Sequence, residues 1–251
     1  MSNIGPQLAD IVEEASAAIL RLWRGDFAMS HKSDESPVTE ADHAAEKVIL
    51  ARLREAYPDI PIIAEEESAA SGVPLDIASR FFLVDPLDGT KAFVRGDDHF
   101  TVNIGLIENG VPTAGAVAAP VQGRTWYTTD AGTERRRFAG KGERVQVRPW
   151  ADDAVALVSH TLKPEHGDAL KAQYGFARTQ AMDSSIKLCI IAEGSADIYP
   201  RHGPTMEWDI AAGHAVLIGA GGTLTQPDGA PFLYGKADQG FRNGWFVARG
   251  G

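Results

Sequence analysis

Apolar residues at Leu8, Ile11, Val12, Ala15, Ile19 and Leu22 recur at helical spacing and predict an amphipathic first helix that ends near Gly25. The stretch from Gly25 to Pro37 is polar and predicts a loop. Thr39 then stands where an N-cap belongs, with Glu40 and Asp42 in a first turn whose dipole favours acids. The second helix runs through Ala45, Val48, Ile49 and Leu53 and stops before Pro58.

From there the period changes. Pro61-Ile62-Ile63-Ala64 ends in Glu65, Glu66 and Glu67, and Phe81-Phe82-Leu83-Val84 ends directly in Asp85. Short apolar runs without polar alternation predict strands buried on both faces. Thr101 to Glu108 and Val111 to Ala119 flank Asn109-Gly110, a strong hairpin signal. Trp126-Tyr127-Thr128 adds a strand, with Asp130 to Gly132 as its turn. Beyond Trp150 strands and helices alternate. A strand is expected at Ala154 to Ser159, helices at Pro164 to Gln173 and Ser184 to Glu193, and a strand at Ala196 to Tyr199. An Ala-rich helix from Glu207 to Ala220 is closed by Gly221-Gly222. The shift in composition near Pro149 predicts an α+β part, residues 1–149, joined to an α/β part, residues 150–251.

At 251 residues the chain suits one compact unit or two tightly packed subdomains. A formal net charge of −10 argues against a nucleic-acid polymer as partner. It leaves room for one small anionic substrate, because bound divalent cations reverse the sign of a local site. Cys189 is the only cysteine, so no intrachain disulfide can form, which suits a reducing cytoplasm. Met1 to Asp10 lacks the basic segment and apolar run of a signal peptide. No uncharged apolar stretch approaches the roughly 18 residues of a membrane span. A cytoplasmic protein with no membrane span is the expectation.

The acids are placed where chemistry is expected. Glu65 and Asp85 each stand at the end of a predicted buried strand, and Asp88 follows in the next turn. A carboxylate at the edge of an apolar core is costly unless it is paired or holds a cation. Between Glu65 and Asp88 the only basic residue is Arg80, so converging acids without local counter-charge suit a hard cation such as magnesium. Pro86 stiffens the turn, Gly89 permits close approach to a ligand, and Thr90 adds a hydroxyl beside backbone N–H groups. Taken singly these features keep plainer readings: acid runs form solvated loops, and Asp-Pro and Asp-Gly pairs form ordinary turns.

The order of these motifs resembles the inositol monophosphatase-like family of magnesium-dependent, lithium-sensitive phosphatases. The carrying residues are Asp42, Glu65-Glu66, Asp85-Pro86-Leu87-Asp88-Gly89-Thr90 and Trp208-Asp209, with eleven residues, Ile210 to Ala220, before Gly221-Gly222. The resemblance implies a layered αβαβα sandwich of the sugar-phosphatase fold. It implies that Glu65, Asp85, the Leu87 carbonyl, Asp88 and Asp209 hold magnesium, about two to three ions, with Asp42 orienting waters around the third. A metal-bound water positioned by Glu65 and Thr90 would attack phosphorus in line, with the Gly89 and Thr90 N–H groups holding the phosphate. Whether Glu66 is a ligand or supports one stays open.

Within the family the chain is most similar to the CysQ-type 3'(2'),5'-bisphosphate nucleotidases. This rests on Phe100 to Ile104, Ser184-Ser185-Ile186-Lys187, Tyr199-Pro200-Arg201 and Gly203 to Asp209. By that resemblance His160, Ser184, Lys187 and Arg201 line the nucleotide and its non-reacting 5'-phosphate. The physics agrees, because a bisphosphate needs a second anion site away from the metals, and Lys and Arg supply one. The plain alternatives are a solvated helix position for Lys187, a surface salt bridge for Arg201 and a hydrogen-bonded core histidine for His160. Cys189 reads as packing.

One segment departs from the pattern. Thr133-Glu134-Arg135-Arg136-Arg137-Phe138 replaces an Ala/Gly-rich hairpin, and its arginines read either as an exposed turn or as extra substrate contacts. The expected substrate is adenosine 3',5'-bisphosphate or its sulfonated form. An inositol monophosphatase or related sugar phosphatase is the alternative, and a catalytically silent nucleotide-binding protein a further one. The oligomeric state stays open, with a homodimer the expectation that the resemblance supplies.

Overall fold

The computed structural model describes residues 4–25, 29–31, 37–160 and 162–251. Of the stretch Met1 to Asp10 the first three residues lie outside these, as do 26–28 and 32–36 of the expected loop. Among the described residues no helix is long and apolar enough to cross a membrane.

The chain opens with α1 (Ile4–Leu20), β1 (Met29–His31), β2 (Pro37–Thr39) and α2 (Glu40–Ala56). It continues through β3 (Ile62–Ala64), α3 (Glu65–Ser71), β4 (Arg80–Asp88) and α4 (Thr90–Arg95). A run of strands follows: β5 (Thr101–Glu108), β6 (Val111–Ala119), β7 (Arg124–Thr129), β8 (Gly132–Arg137) and β9 (Glu143–Val145). The remainder is β10 (Val155–Val158), α5 (Pro164–Tyr174), β11 (Arg178–Ala181), α6 (Ile186–Ala192), β12 (Ile198–Arg201), β13 (Thr205–Met206), α7 (Glu207–Gly219), β14 (Thr223–Thr225), β15 (Arg242–Asn243) and β16 (Phe246–Arg249).

β3 to β9 form a seven-stranded sheet in sequence order, antiparallel except for the parallel β3–β4 pair. The second sheet has five strands in the order β11-β10-β12-β16-β14. The layers follow from which faces are apolar. Leu8, Ile11 and Val12 of α1 and Ile49 and Leu53 of α2 pack on one face of the large sheet, against Phe82, Val84, Ile104 and Leu106. The opposite face offers Phe81, Leu83, Ile107 and Val117 to Ile186 and Leu188 of α6 and Ile210 and Val216 of α7. Tyr199, Phe246 and Ala248 of the second sheet close that same core, and Leu170 of α5 covers its outer face with Ala156, Ile198 and Val247. The result is the expected αβαβα sandwich. The unbroken run Phe81 to Val84 is explained, since its alternate side chains serve two cores at about 1.5–3 kcal/mol per fully buried large apolar residue.

Several local expectations change. Part of the expected loop after Gly25 is a short ladder, β1 against β2. The acid run after Ala64 begins α3 rather than a loop, and β4 continues past Asp85 to Asp88. α4, β11, β14 and β16 had no clear signal, being short or half-polar. Arg135, Arg136 and Arg137 belong to β8, not to an exposed turn. Period-2 alternation sends Arg136 towards α1, where it meets Glu13 at 2.7 Å and Asp10, while Arg135 meets Glu193 at 2.9 Å. None of the three lines the cleft described below, so the substrate-contact reading fails as well.

Candidate active site

A β-bulge brings the first two acids together. Asp85 lies opposite Asn103 and Asp88 opposite Thr101, with a register shift between the two pairs. Residues three apart in a regular strand point to opposite faces, but Thr101 and Asn103 are two apart and share one. The extra residue in β4 therefore turns both carboxylates to the same side. Leu87 N–H donates to Asp85 Oδ1 at 2.9 Å and closes the bulge with its own acid. Gly89 follows at φ 99°, where any side chain is strained and a Cβ would lie 2.9 Å from the His99 carbonyl oxygen. Thr90 then starts α4, its hydroxyl 3.2 Å from Asp42 Oδ1 and 3.1 Å from the Leu87 carbonyl oxygen.

Asp42 is buried in the first turn of α2. Its Oδ2 accepts from the Thr39 N–H and hydroxyl, both at 2.7 Å, completing the predicted cap. It does not line the cleft and touches it through Thr90.

Glu65 is the first residue of α3, whose N-cap, Ala64, has no side chain to satisfy the opening amides. Glu46 of α2 does so instead, accepting the N–H groups of Glu66 at 2.8 Å and Glu67 at 2.9 Å. This buried residue went unnoticed in the sequence. Its signal was a charge on the apolar stripe of α2, between Ala45 and Ile49.

Asp209 sits in the first turn of α7, where its Oδ2 accepts the Met206 N–H at 2.8 Å. α7 can lie directly on the large sheet because Gly105 and Gly115 face each other across the β5–β6 ladder. A Cβ on Gly105 would come within 2.9 Å of the Ala211 Cβ, and one on Gly115 within 2.7 Å of the Ala212 carbonyl oxygen. Behind Asp209, fully buried Glu207 accepts the N–H groups of Gly235 at 2.8 Å and Lys236 at 3.0 Å.

These elements converge on one cleft of about 780 Å³. Glu65, Asp85, Leu87, Asp88 and Asp209 line it, as do Gly89 and Thr90. Ser184, Lys187, Arg201, His160 and Tyr199 line it as well, together with Arg95 and Asp183, which no motif had singled out. Burial, then the charges of Asp88 and Glu65, holds Asp209 well above the usual carboxylate range. Burial also pushes Asp88 up to about 6, against the lowering effect of Lys187 and the Ser185 N–H. Among the described residues no three Asp, Glu, His or Cys side chains form a closed cation cage. The fit to a cation rests instead on the donor chemistry, oxygen only, and on carboxylates so near that the Glu65 charge raises Asp88 and the charges of both raise Asp209.

The basic residues differ from their plain readings. Lys187 is buried, not solvated. Its ammonium donates to the Met182 carbonyl at 3.1 Å and to that of Ser184, and lies 4.9 Å from the Tyr199 ring centre. Burial draws it down to about 8, with Asp88 opposing. Arg201 is half-buried and donates to the Pro204 carbonyl at 3.1 Å rather than to an acid. His160 is exposed at the rim, stacked 6.4 Å from His99, and is no core histidine.

The chain is similar to known proteins over almost its whole length. A sequence model described as the inositol monophosphatase family matches residues 5–245. The 3'(2'),5'-bisphosphate nucleotidase CysQ of Salmonella typhimurium is 41% identical over 217 residues, spanning 86% of this chain and 87% of that protein. The Escherichia coli (strain K12) protein of the same name is 38% identical over 248 residues, 96% of this chain and 98% of that one. The crystal structure of CysQ from Bacteroides thetaiotaomicron superposes with a TM-score of 0.79 at 31% identity, covering 97% of this chain and 95% of that one.

Proposed function

Because the chain belongs to the inositol monophosphatase family, we propose that it is a 3'(2'),5'-bisphosphate nucleotidase that converts adenosine 3',5'-bisphosphate to AMP and phosphate. The observation that carries this reading is the cleft's mixed lining, in which the carboxylates Glu65, Asp85, Asp88 and Asp209 share one cavity with the cations Lys187 and Arg201. An inositol monophosphate has one phosphate and brings no further anion to these cations. A bisphosphate brings a second phosphate for them.

Glu65, Asp85, the Leu87 carbonyl, Asp88 and Asp209 would hold magnesium, about two to three ions, as hard oxygen donors suit. Bound divalent cations supply positive charge against the phosphoryl and leaving oxygens. The chain's own groups do the rest. The Gly89 and Thr90 N–H groups hold the reacting phosphate at the start of α4. Asp42 fixes the Thr90 hydroxyl, so that Thr90 and Glu65 orient the attacking water. Ser184, Lys187, Arg201 and His160 receive the nucleotide and its 5'-phosphate. Lithium inhibition and a cytoplasmic setting belong to the same reading, the latter supported by a single, buried cysteine.

The test is phosphate release from adenosine 3',5'-bisphosphate, AMP and inositol 1-phosphate, with and without magnesium. Magnesium-dependent release from the bisphosphate alone is expected. Preference for inositol 1-phosphate overturns the substrate assignment, and turnover of none overturns the enzyme.

A further inference from the structure

Thr101, Asn103 and Ser185 are buried, and their side chains close a hydrogen-bonded ring. Ser185 Oγ donates to Asn103 Oδ1 at 2.6 Å, Asn103 Nδ2 donates to Thr101 Oγ1 at 3.2 Å, and the two hydroxyls lie 2.8 Å apart. The Ser185 proton is committed to the amide oxygen, which can only accept, so Thr101 must donate to Ser185. Every member then gives one bond and receives one, an arrangement in which each bond strengthens the next. Thr101 and Asn103 themselves do not line the cleft.

The ring ties two distant parts of the site together. Thr101 and Asn103 lie on β5, opposite Asp88 and Asp85. Ser185 ends the turn that carries Ser184 and leads into Lys187, and its N–H donates to Asp88. Ser184 is at φ 58°, a left-handed conformation that serine keeps only where its surroundings enforce it. Lys187 holds the turn from within through the Met182 and Ser184 carbonyls, and Arg95 holds Asp183 at 2.9 Å. Asn103, with Thr101 beside it, grips this turn from the large sheet by a side chain that does not line the cleft.

We infer that Asn103 is a specificity-determining positioning residue, which through Ser185 holds the Ser184–Lys187 turn in the shape that receives the second, non-reacting phosphate. This rests on the nucleotidase reading above. Replacing the amide removes both the acceptor that fixes the Ser185 hydroxyl and the donor to Thr101, so the ring opens and a strained turn is free to relax. The reacting phosphate, held at Gly89 and Thr90, is affected less.

The experiment compares wild type, Asn103→Leu and Ser185→Ala on adenosine 3',5'-bisphosphate and adenosine 3'-monophosphate, with thermal melts to confirm folding. Ser185→Ala breaks the ring while keeping the backbone N–H to Asp88. In both variants the wild-type preference for the bisphosphate should fall about 10- to 100-fold, mainly through a higher KM, as expected for a supporting group displaced by ångströms. Equal proportional losses on both substrates, leaving the preference unchanged, would reduce Asn103 to general scaffolding and overturn the inference. A wild-type enzyme without preference for the bisphosphate overturns the nucleotidase reading, and this inference with it.

Discussion

The Glu46 carboxylate on α2 accepts the backbone N–H of Glu66 on α3 at 2.8 Å, across twenty residues of sequence. It holds the Glu67 N–H as well, and so fixes the helix start from which Glu65 enters the cleft. An acid so close to three others is tolerated because two amides need an acceptor there and the local sequence offers none. Burial raises the Glu46 pKa, and the two backbone bonds work against that rise. Glu46→Ala should therefore cost about 1–2 kcal/mol in denaturant unfolding, the typical loss of a helix cap. Phosphate release should fall about 10- to 100-fold. Glu46→Gln keeps one acceptor and should lie between the two. Full turnover in Glu46→Ala would show that the position of Glu65 does not depend on this cap.

Asp88→Asn separates catalysis from stability. Asparagine can still accept the Ser185 N–H but carries no charge. The Asp88 pKa is raised in the fold, so its ionised form opposes folding at pH 7 when no cation is bound. The variant should lose turnover by more than about a hundredfold, beyond what an outer supporting group costs. Its metal-free melting temperature at pH 7 should be no lower than that of wild type. Near-normal phosphate release would refute the metal assignment of Asp88.

The parts of the site legible in the sequence are those coded locally. Asp85 to Thr90 carries its own turn chemistry, and Trp208-Asp209 opens an Ala-rich helix with recognisable ends. The capping acid Asp42 could be read from Thr39 three residues before it. What escaped depends on distant partners. The β4 bulge exists only relative to β5, and the Asn103–Ser185 bond spans 82 residues. Lys187 looked like a solvated helix position because its counter-charge, Asp88, lies on β4, far away in sequence. The arginine run was misread for the same reason, since Glu13 and Glu193 lie far away in sequence.

Arg136 gives a direct check on that correction. Its guanidinium is mostly covered, pairs with Glu13 and Asp10 of α1, and lies 5.2 Å from the Tyr127 ring centre. Glu13 also accepts from the Thr125 hydroxyl at 2.8 Å and the Ala139 N–H at 2.8 Å, so a single acid pins α1 to β7 and the end of β8. Arg136→Ala should cost about 1–3 kcal/mol, less than a fully buried pair. kcat/KM for the bisphosphate should be unchanged. A selective loss of bisphosphate turnover would instead restore the substrate-contact reading.

Gly115 sets how closely α7 approaches the sheet, and with it the depth of Asp209. A methyl group there meets the Ala212 backbone at 2.7 Å, and backbone cannot rotate away. Gly115→Ala should destabilise by about 1–3 kcal/mol through overpacking. If the protein still folds, phosphate release should fall as the start of α7 shifts. Gly123→Ala serves as the control. Gly123 has open space around it, and its φ of 59° is a strain of a different kind that leaves α7 alone. Its turnover should be retained.

His214 predicts a pH dependence that belongs to the fold and not to the reaction. It is buried on α7, its Nδ1 is 2.9 Å from the Tyr234 hydroxyl, and Phe232 packs beside it. Burial lowers its pKa from 6.5 to about 4. Between those values the unfolded chain binds a proton that the folded chain refuses, so the neutral ring's stability is complete above pH 6.5. It is then lost progressively as pH falls towards 4. By pH 5 the loss amounts to about 2 kcal/mol by linkage from these two values. His214→Gln removes the titrating group while leaving a polar partner for Tyr234. Denaturant unfolding of both proteins at pH 7.5 and pH 5 should show wild type more stable at the higher pH. At the lower pH the gap between them should narrow by about that amount. A gap of constant size at both pH values would mean that protonation of His214 does not oppose folding.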